Sequence, residues 1–331
     1  MGIFEYRLEK ALEVEQMWIG AANLLTAKQT ISALSYRRGL PSMSMNDPKS
    51  PESLELTLIG SGAVRVHPDR GGTSACLRIG DRTILIDCGR CAVQNLVRFG
   101  IPVESVTDIL LTHLHFDHVC DLAQLLLLSW NNGRAWRMPI IGPVGTRHFL
   151  DHNCRKAYVD DLATRIGKNK KDPDHFEWDV TEIQDDGPVL QTDTFRIVAG
   201  RTPHTGMEAF NFRIEAGDRS IVVTSDTEWH DGLVGFCSGA EVLVIECSGT
   251  EEFLKTVPWG GWHMTPQRIA ALANQASVKT VVLKHLAIES FVDDPEIGER
   301  MADDVRKSFD GSVEVARDGR CFNLPIRGPI S

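Results

Sequence analysis

Short apolar runs separated by glycine-rich turns extend from Leu54 to His285, and they constrain the fold more than any other feature. Runs of this kind predict strands, and the stretches AVQNLVRFG and TPQRIAALANQA between them predict helices. Two β-rich groups with helices outside predict an α/β protein, specifically an αββα sandwich. The predicted strands are LELTLIG, SACLRI, RTILIDCG and VTDILLTH in the first group, and TFRIVAG, AFNFRIE, RSIVVTSD, EVLVIECS and KTVVLKHL in the second.

Length and composition predict one large domain with an extension at its N-terminus. The chain has 331 residues, of which 42% are hydrophobic, and this suffices for one large core. We interpret residues 1–50 as a helical extension and linker, which either packs on the domain or joins two chains in a homodimer. We assign residues 51–331 to the main domain. The polar stretch at residues 145–190 is predicted to be an irregular insertion over one edge.

The composition argues against export, a membrane span and a polyanion-binding surface. Charged residues interrupt the first 25 positions, where a signal peptide needs an apolar stretch, and the run Leu122 to Trp130 is too short to cross a bilayer. The formal net charge of −10 repels a polyanion, so extended nucleic-acid binding is not expected. We expect a cytoplasmic protein that acts on a small-molecule substrate.

The eight cysteines are scattered along the chain, which favours reduced thiols over a disulfide framework. Cys88 and Cys91 form a CxxC motif. No second CxxC completes a zinc site, and no thioredoxin-like pattern surrounds the motif. Ordinary buried thiols are therefore a better interpretation than a redox pair.

The stretch THLHFDH, residues 112–118, concentrates ligand-type side chains directly after a predicted strand, and three more such residues follow later strands. Imidazole and carboxylate groups bind zinc and similar divalent ions, and loops at strand ends can direct them to one point. Seven ligands exceed what one tetrahedral ion uses, so the pattern predicts two ions. The candidates are His113, His115, Asp117, His118, His204, Asp226 and His285.

With these motifs, the sequence from about Leu54 to His285 resembles the metallo-β-lactamase superfamily, and most closely its ribonuclease Z and phosphodiesterase-like branch. The stretch LIGSGAVRVHPDRGGTSACLRIGDRTILIDCG is similar to the opening glycine loop and strand pair of that branch, and THLHFDH is similar to the superfamily's metal motif. The resemblance implies a hydrolase with two zinc ions. It assigns His113, His115 and His204 to one ion, Asp117, His118 and His285 to the other, Asp226 to both, and Asp87 to the support of the site.

The same resemblance implies roles in hydrolysis. A bound ion lowers the pKa of water from ~15.7 towards about 7, which supplies a hydroxide nucleophile, and Asp117 would orient or help to deprotonate it. Glu246 in LVIECSGT and His263 in GWHMTPQRIA match a glutamate and a histidine of this branch. We interpret them as a carboxylate–imidazole pair that protonates a leaving oxygen or holds an anionic group. The alternative for His263 is a surface histidine beside the helix that Thr265 and Pro266 begin.

Two departures from the ribonuclease Z pattern argue against transfer-RNA processing. Members of that group carry a Gly/Pro-rich arm that grips transfer RNA, whereas residues 145–190 contain only three glycines and two prolines. In the turn CGRC, Arg90 takes a position where a carboxylate is common. Four aromatic residues near the motifs suit a small apolar or aromatic substrate, or else belong to the core: Phe116, Trp229, Trp259 and Trp262.

Several activities fit this pattern. The branch resemblance favours a phosphodiester, with another small ester, a lactone, a sulfate ester or a carbon–halogen bond as alternatives. A di-iron oxidoreductase is a rival on the same fold, but that group usually has a glutamate where this chain has His115, and we expect no appended flavin domain. A non-enzymatic ligand-binding protein is the third alternative, and the complete set of seven ligands argues against it.

Overall fold

The computed structural model describes residues 53–287 and 296–327. The predicted extension at residues 1–50 lies outside these ranges, so its helix, its role in a homodimer and the division of the chain at residue 50 stay predictions. The strands of the described residues are β1 (Ser53–Gly60), β2 (Ser74–Ile79), β3 (Arg82–Ile86), β4 (Asp108–Leu110), β5 (Met138–Pro143), β6 (Trp178–Ile183), β7 (Gly187–Gln191), β8 (Arg196–His204), β9 (Met207–Ala216), β10 (Arg219–Val223), β11 (Val242–Glu246), β12 (Thr280–Lys284), β13 (Ser312–Val315) and β14 (Cys321–Pro325).

Helices cover the outer faces of two stacked sheets, which confirms the predicted αββα sandwich. One buried apolar cluster lies between the sheets, and one further cluster lies on the outer face of each sheet. The α-helices of the described residues are α1 (Ala92–Arg98), α2 (Phe116–Val119), α3 (Leu122–Asn131), α4 (Thr146–Leu150), α5 (Val159–Gly167), α6 (Asp231–Cys237), α7 (Glu251–Leu254), α8 (Pro266–Gln275) and α9 (Ile297–Arg306).

The apolar runs form strands because both faces of each sheet are covered. In β3, Ile84 and Ile86 belong to the cluster between the sheets, whereas Leu85 belongs to the outer cluster. Successive side chains of a strand point to opposite faces, so a strand buried on both sides needs a continuous apolar run. This is the pattern that made these strands recognisable in the sequence.

The order of the strands places many strand ends at one edge. The two sheets run β14-β1-β2-β3-β4-β5-β6 and β13-β12-β11-β10-β9-β8-β7. Strands β3 to β6 are parallel to one another, and so are β10 to β13. β8 is antiparallel to β9, which is antiparallel to β10, so β8 and β10 point the same way. Loops after these strands therefore gather at the carboxyl edges, where sites form in such sheets.

The segment at residues 145–190 was predicted to be irregular, and this is wrong. It contains α4, a π-helical turn at Asp151–Arg155, α5 and two edge strands, β6 and the start of β7. It does lie at one edge of the sheets, as predicted, because β6 and β7 end the two strand orders. The sequence of this segment looks irregular because edge elements bury few side chains: α5 buries only Leu162 fully, and β6 buries only Trp178 and Ile183 at its two ends.

The C-terminal part of the described chain completes both sheets. β13 pairs with β12 in the second sheet, and β14 pairs with β1 in the first. Each sheet therefore includes one edge strand from the described chain after residue 296.

The thiols of the CxxC motif are free. Cys88 is fully buried, and burial raises the pKa of its thiol well above the usual range. A thiol of this kind is a poor nucleophile, which fits the interpretation as an ordinary buried side chain. No helix within the described ranges is both long enough and apolar enough to cross a membrane.

Candidate metal centre

All seven predicted ligands meet at the carboxyl edges of the two sheets. The first sheet supplies four of them through the loop after β4 and through α2. The second supplies three, which are His204 at the end of β8 and the residues Asp226 and His285 after β10 and β12. Their ligand atoms form two groups, in each of which all atoms lie within 4.8 Å of one another. The first group is His113, His115, His204 and Asp226, and the second is Asp117, His118 and His285.

The first group brings three imidazole rings together beside the Asp226 carboxylate. His115 Nδ1 lies 2.9 Å from His113 Nε2 and 3.3 Å from His204 Nε2. Burial and the neighbouring His118 hold the pKa of His113 well below its usual range, and burial lowers the pKa of His204 to about 4. Both rings are therefore neutral at pH 7, which is the form that binds a metal ion.

The second group combines imidazoles with carboxylates. His285 Nε2 lies 3.3 Å from Asp117 Oδ2 and 3.1 Å from Asp226 Oδ2. His118 Nε2 lies 3.8 Å from Asp117 Oδ2 and 3.6 Å from Asp226 Oδ1. Asp226 Oδ2 is also 3.9 Å from His204 Nε2 of the first group. The Asp226 carboxylate thus lies between the two groups, as a carboxylate shared by two ions would.

Two buried atoms of this cluster fit a bound cation. His118 Nε2 and Asp226 Oδ1 are both buried and have no hydrogen-bond partner. Buried polar groups are nearly always satisfied, so a pair of unsatisfied atoms facing each other points to an absent partner. A divalent ion would satisfy both of them. The nitrogen and oxygen donors are those that zinc prefers.

Two carboxylates act on the ring of His118 in the second group. Burial would lower the pKa of His118, but the carboxylates of Asp226 and Asp87 outweigh this effect and raise the pKa to about 10. His118 is therefore protonated at neutral pH in the ion-free protein. An ion can bind at this nitrogen only after the proton leaves.

We expect zinc binding at pH 6 to release about one proton per chain from His118, because a bound water with a pKa of about 7 is then still mostly neutral. The affinity for the ion at the second group should rise about tenfold per pH unit between about pH 5 and 6, below the pKa of the bound water. Calorimetric titrations in two buffers of different ionisation enthalpy measure the proton release. Equal heats in both buffers would contradict the expectation, and the His118→Ala variant should release about one proton fewer.

Asp87 and Thr112 fix the orientation of His118. His118 Nδ1 lies 2.8 Å from Asp87 Oδ2, so Nε2 faces the other ligands. The Thr112 N–H and hydroxyl each donate to Asp87 at 2.8 Å. Asp87 itself has a left-handed backbone, with φ of 58°, which is uncommon outside glycine and typical of constrained sites. Nearby, a Cβ on Gly89 would lie 2.3 Å from the Asp117 carbonyl oxygen, so only glycine fits there.

Glu246 and His263 form a buried pair beside the second group. His263 Nδ1 lies 3.2 Å from Glu246 Oε1, which also accepts the Met264 N–H at 2.9 Å. Burial would lower the pKa of His263, but the charge and hydrogen bond of Glu246 raise it to about 9. The Thr265 side chain caps α8 by accepting the Arg268 N–H at 3.3 Å. His263 is mostly buried, and its ligand atom lies within 4.8 Å of those of Asp226 and His285, so it is not a surface histidine.

Comparison with known proteins identifies the family. Residues 82–286 match the sequence profile of the β-lactamase superfamily domain. A ribonuclease Z of Mycobacterium bovis is 31% identical over 280 residues, which cover 80% of this chain and 96% of that protein. The chain belongs to the metallo-β-lactamase superfamily. Within the superfamily it belongs to the ribonuclease Z-like branch, and it is a metal-dependent hydrolase.

Solved structures of the superfamily share the fold. The metallo-β-lactamase fold protein YhfI of Bacillus subtilis is 20% identical, with a TM-score of 0.65, and the match covers 82% of this chain and 99% of that one. The short form of human tRNase Z is 22% identical, with a TM-score of 0.63, and covers 82% of this chain and 100% of its own. These likenesses confirm the predicted superfamily fold.

Sequence reasoning missed the hydroxyl groups that contact the ligands of this metallo-β-lactamase centre. Ser248 Oγ lies 3.0 Å from His263 Nδ1 and 3.2 Å from His285 Nδ1, and it donates to Glu246 Oε2 at 2.9 Å. Ser225 Oγ lies 3.1 Å from His113 Nδ1. A signal was present, because Thr112 and Ser225 directly precede ligands in the sequence. The contacts at Nδ1 fix the orientation of the His113 and His285 rings and leave their Nε2 atoms free to bind a metal ion.

Proposed function

We propose that the protein is a zinc-dependent hydrolase of small phosphodiesters that uses two ions. The observation that carries the proposal is the buried, unpartnered pair of His118 Nε2 and Asp226 Oδ1 between two groups of ligands. Mixed imidazole and carboxylate donors support zinc. The histidine at position 115, which lies within the first group, argues against a di-iron oxidoreductase.

The proposed chemistry divides between the ions and three side chains. Bound ions would lower the pKa of water to about 7 and polarise the phosphoryl group. Asp117, whose Oδ2 is 3.3 Å from His285 Nε2, would bind an ion through its carboxylate and orient the attacking water. His263, kept protonated by Glu246, can donate a proton to the leaving oxygen. Glu246 is fully buried and is positioned to stabilise the protonated ring.

The packing of residues 145–190 and the net charge support a small substrate over a transfer RNA. The relatives are named ribonuclease Z, a name that describes action on RNA. In this chain, however, residues 145–190 pack into the domain. Four of their side chains belong to the apolar cluster on the outer face of the first sheet: Leu150, Cys154, Leu162 and Phe176. The net charge of −10 also disfavours a polyanion.

Apolar side chains near the ligands support an ester with an apolar or aromatic group. Phe116, between two ligands, is 65% exposed, and Trp262, whose carbonyl lies 3.4 Å from His204 Nδ1, is 42% exposed. Exposed aromatic residues beside a reaction centre are typical of substrate contacts. Trp229 and Trp259, by contrast, are partly buried. Trp229 packs against the apolar cluster on the outer face of the second sheet, and Trp259 packs against the ring of His263.

We expect Phe116→Ala to lower kcat/KM roughly threefold to tenfold on an aryl phosphodiester and to leave a methyl ester of the same leaving group unchanged. The reason is that only the aryl group can stack on the ring. Steady-state kinetics on the two substrates measure the difference. Tyr158→Ala serves as the control, because it removes an exposed aromatic side chain that does not neighbour any of the ligands in the sequence. An equal loss on both substrates would contradict a contact with the aryl group.

A hydrolysis screen of the zinc-loaded protein tests the proposed function. The substrates are bis(p-nitrophenyl) phosphate, a sulfate ester, a lactone and a haloaromatic compound, with metal content measured on the same sample. We expect two zinc ions and turnover of the phosphodiester. No turnover of any phosphodiester by a protein that holds two ions would reject the proposal, and turnover of the sulfate ester, lactone or halide alone would establish the alternative.

A further inference from the structure

The position of His285 depends on a contact outside its own strand. His285 directly follows β12 and has a left-handed backbone, with φ of 56°. A non-glycine residue keeps this conformation only when its surroundings hold it there. Its N–H donates to the Ser61 carbonyl at 3.1 Å, and the next residue, Leu286, forms a β-bridge with Gly62. The loop that follows β1 therefore fixes this ligand of the second group.

Ser61 is held in turn by Asp318. The Ser61 N–H and hydroxyl donate to Asp318 Oδ1 at 2.9 and 2.7 Å. Arg70 Nη1 donates to the same hydroxyl at 2.9 Å. The backbone N–H and the hydroxyl of Ser61 are thus both fixed by one carboxylate. The peptide that meets His285 has little freedom to move.

The second oxygen of Asp318 ties two further segments to the same point. Asp318 Oδ2 accepts the Gly71 N–H at 2.6 Å and the Asn95 Nδ2 at 3.0 Å. Gly71 lies at the far end of the loop between β1 and β2, and Asn95 lies in α1. One side chain in the β13–β14 turn therefore accepts four hydrogen bonds from both ends of the glycine loop and from a helix.

We propose that Asp318 is a positioning residue for the second metal ion, acting through Ser61 on His285. This inference rests on the proposed two-ion function. Asp318 lies outside residues 82–286, the part of the chain that matches the superfamily profile. A charged carboxylate is a strong acceptor for backbone N–H groups, so its loss should free the loop and with it the His285 backbone.

The affinity of the ion-free protein for zinc tests the proposal without any activity assay. We expect Asp318→Ala to keep one tightly bound ion and to bind the second 10- to 100-fold more weakly, the usual effect of removing a group that supports a ligand. Competition with a zinc chelator measures both affinities. If Asp318 acts through His285, the double variant Asp318→Ala/His285→Ala should bind zinc no more weakly than His285→Ala alone.

Further variants separate positioning from general stability. Ser61→Ala removes one of the four hydrogen bonds to Asp318 and should lower the affinity for the second ion, but by less than Asp318→Ala. If Asp318→Ala does not fold, this smaller loss of affinity tests the proposal. Glu314→Gln breaks the ion pair between Glu314 of β13 and Arg320 of the connection from β13 to β14, and it should leave both affinities unchanged. A lower Tm of Asp318→Ala with both zinc affinities unaltered, or additive losses in the double variant, would overturn the proposal. Failure of the unmodified protein to bind a second ion would instead reject the two-ion function.

Discussion

Replacing Asp226 by alanine is expected to abolish hydrolysis and to reduce zinc binding at both groups of ligands. Asp226 Oδ1 faces His118, while Oδ2 faces His204 and His285, so the carboxylate serves both groups. Its removal leaves each ion one ligand short and removes the negative charge between them. Metal analysis together with turnover of the phosphodiester measures the effect. His118→Ala should also abolish turnover while removing only the ion of the second group.

The controls for this prediction address folding and the role of the shared carboxylate. Asp193→Ala removes an exposed carboxylate from the turn between β7 and β8 and should leave metal content and turnover unchanged. Both site variants should retain their secondary structure in circular dichroism, since their ligands lie at strand ends rather than in the apolar clusters. Retained turnover in Asp226→Ala would show that the carboxylate is not shared between two ions.

We expect His263→Ala to keep its zinc and to lose roughly 10²–10⁴-fold in turnover, the scale of general acid–base catalysis. His263 lies against Glu246 and is held protonated by it, so its removal takes away the acid. The loss should be smaller on substrates with a nitrophenolate leaving group, because this group departs without a proton. Comparing activated and unactivated esters of one class measures the difference.

The outcome on the two ester types decides the role of His263. An equal loss on both would reject proton donation, and no loss on either would make the histidine purely structural. Glu246→Gln should follow His263→Ala in direction, because it removes the charge that raises the pKa of the ring. His148→Ala, which changes an exposed histidine of α4, should have no effect on either substrate.

Much of the fold and of the ligand set could be predicted because both depend on local patterns. Strands such as β3 are buried on both faces and therefore stand out as apolar runs. The ligands follow such runs directly, and parallel strands bring their carboxyl ends together. The polar residues at the ends of β4, β10 and β12 thus indicated a shared site before any distance was known.

The parts that could not be predicted depend on contacts between distant residues. Asp318 and Ser61 are 257 positions apart, and nothing in either local sequence indicates that they meet. The segment at residues 145–190 was misjudged because an edge strand such as β6 buries only its two end residues and looks polar between them. Ser248 was overlooked because a serine near a strand end is common, and only its distances to His263 and His285 reveal its place.

The order of the ligands along the chain determines when the centre can exist during biosynthesis. Asp117 and His285 are 168 positions apart, and at a synthesis rate of roughly 5–20 residues per second the interval between them is on the order of 10 to 30 s. The first four ligands emerge early, whereas the second sheet, the left-handed turn at His285 and the Asp318 carboxylate come last. A nascent chain therefore carries an unpaired set of histidines for many seconds. The complete set of seven ligands can therefore assemble only late in synthesis, after β12 and His285 have emerged.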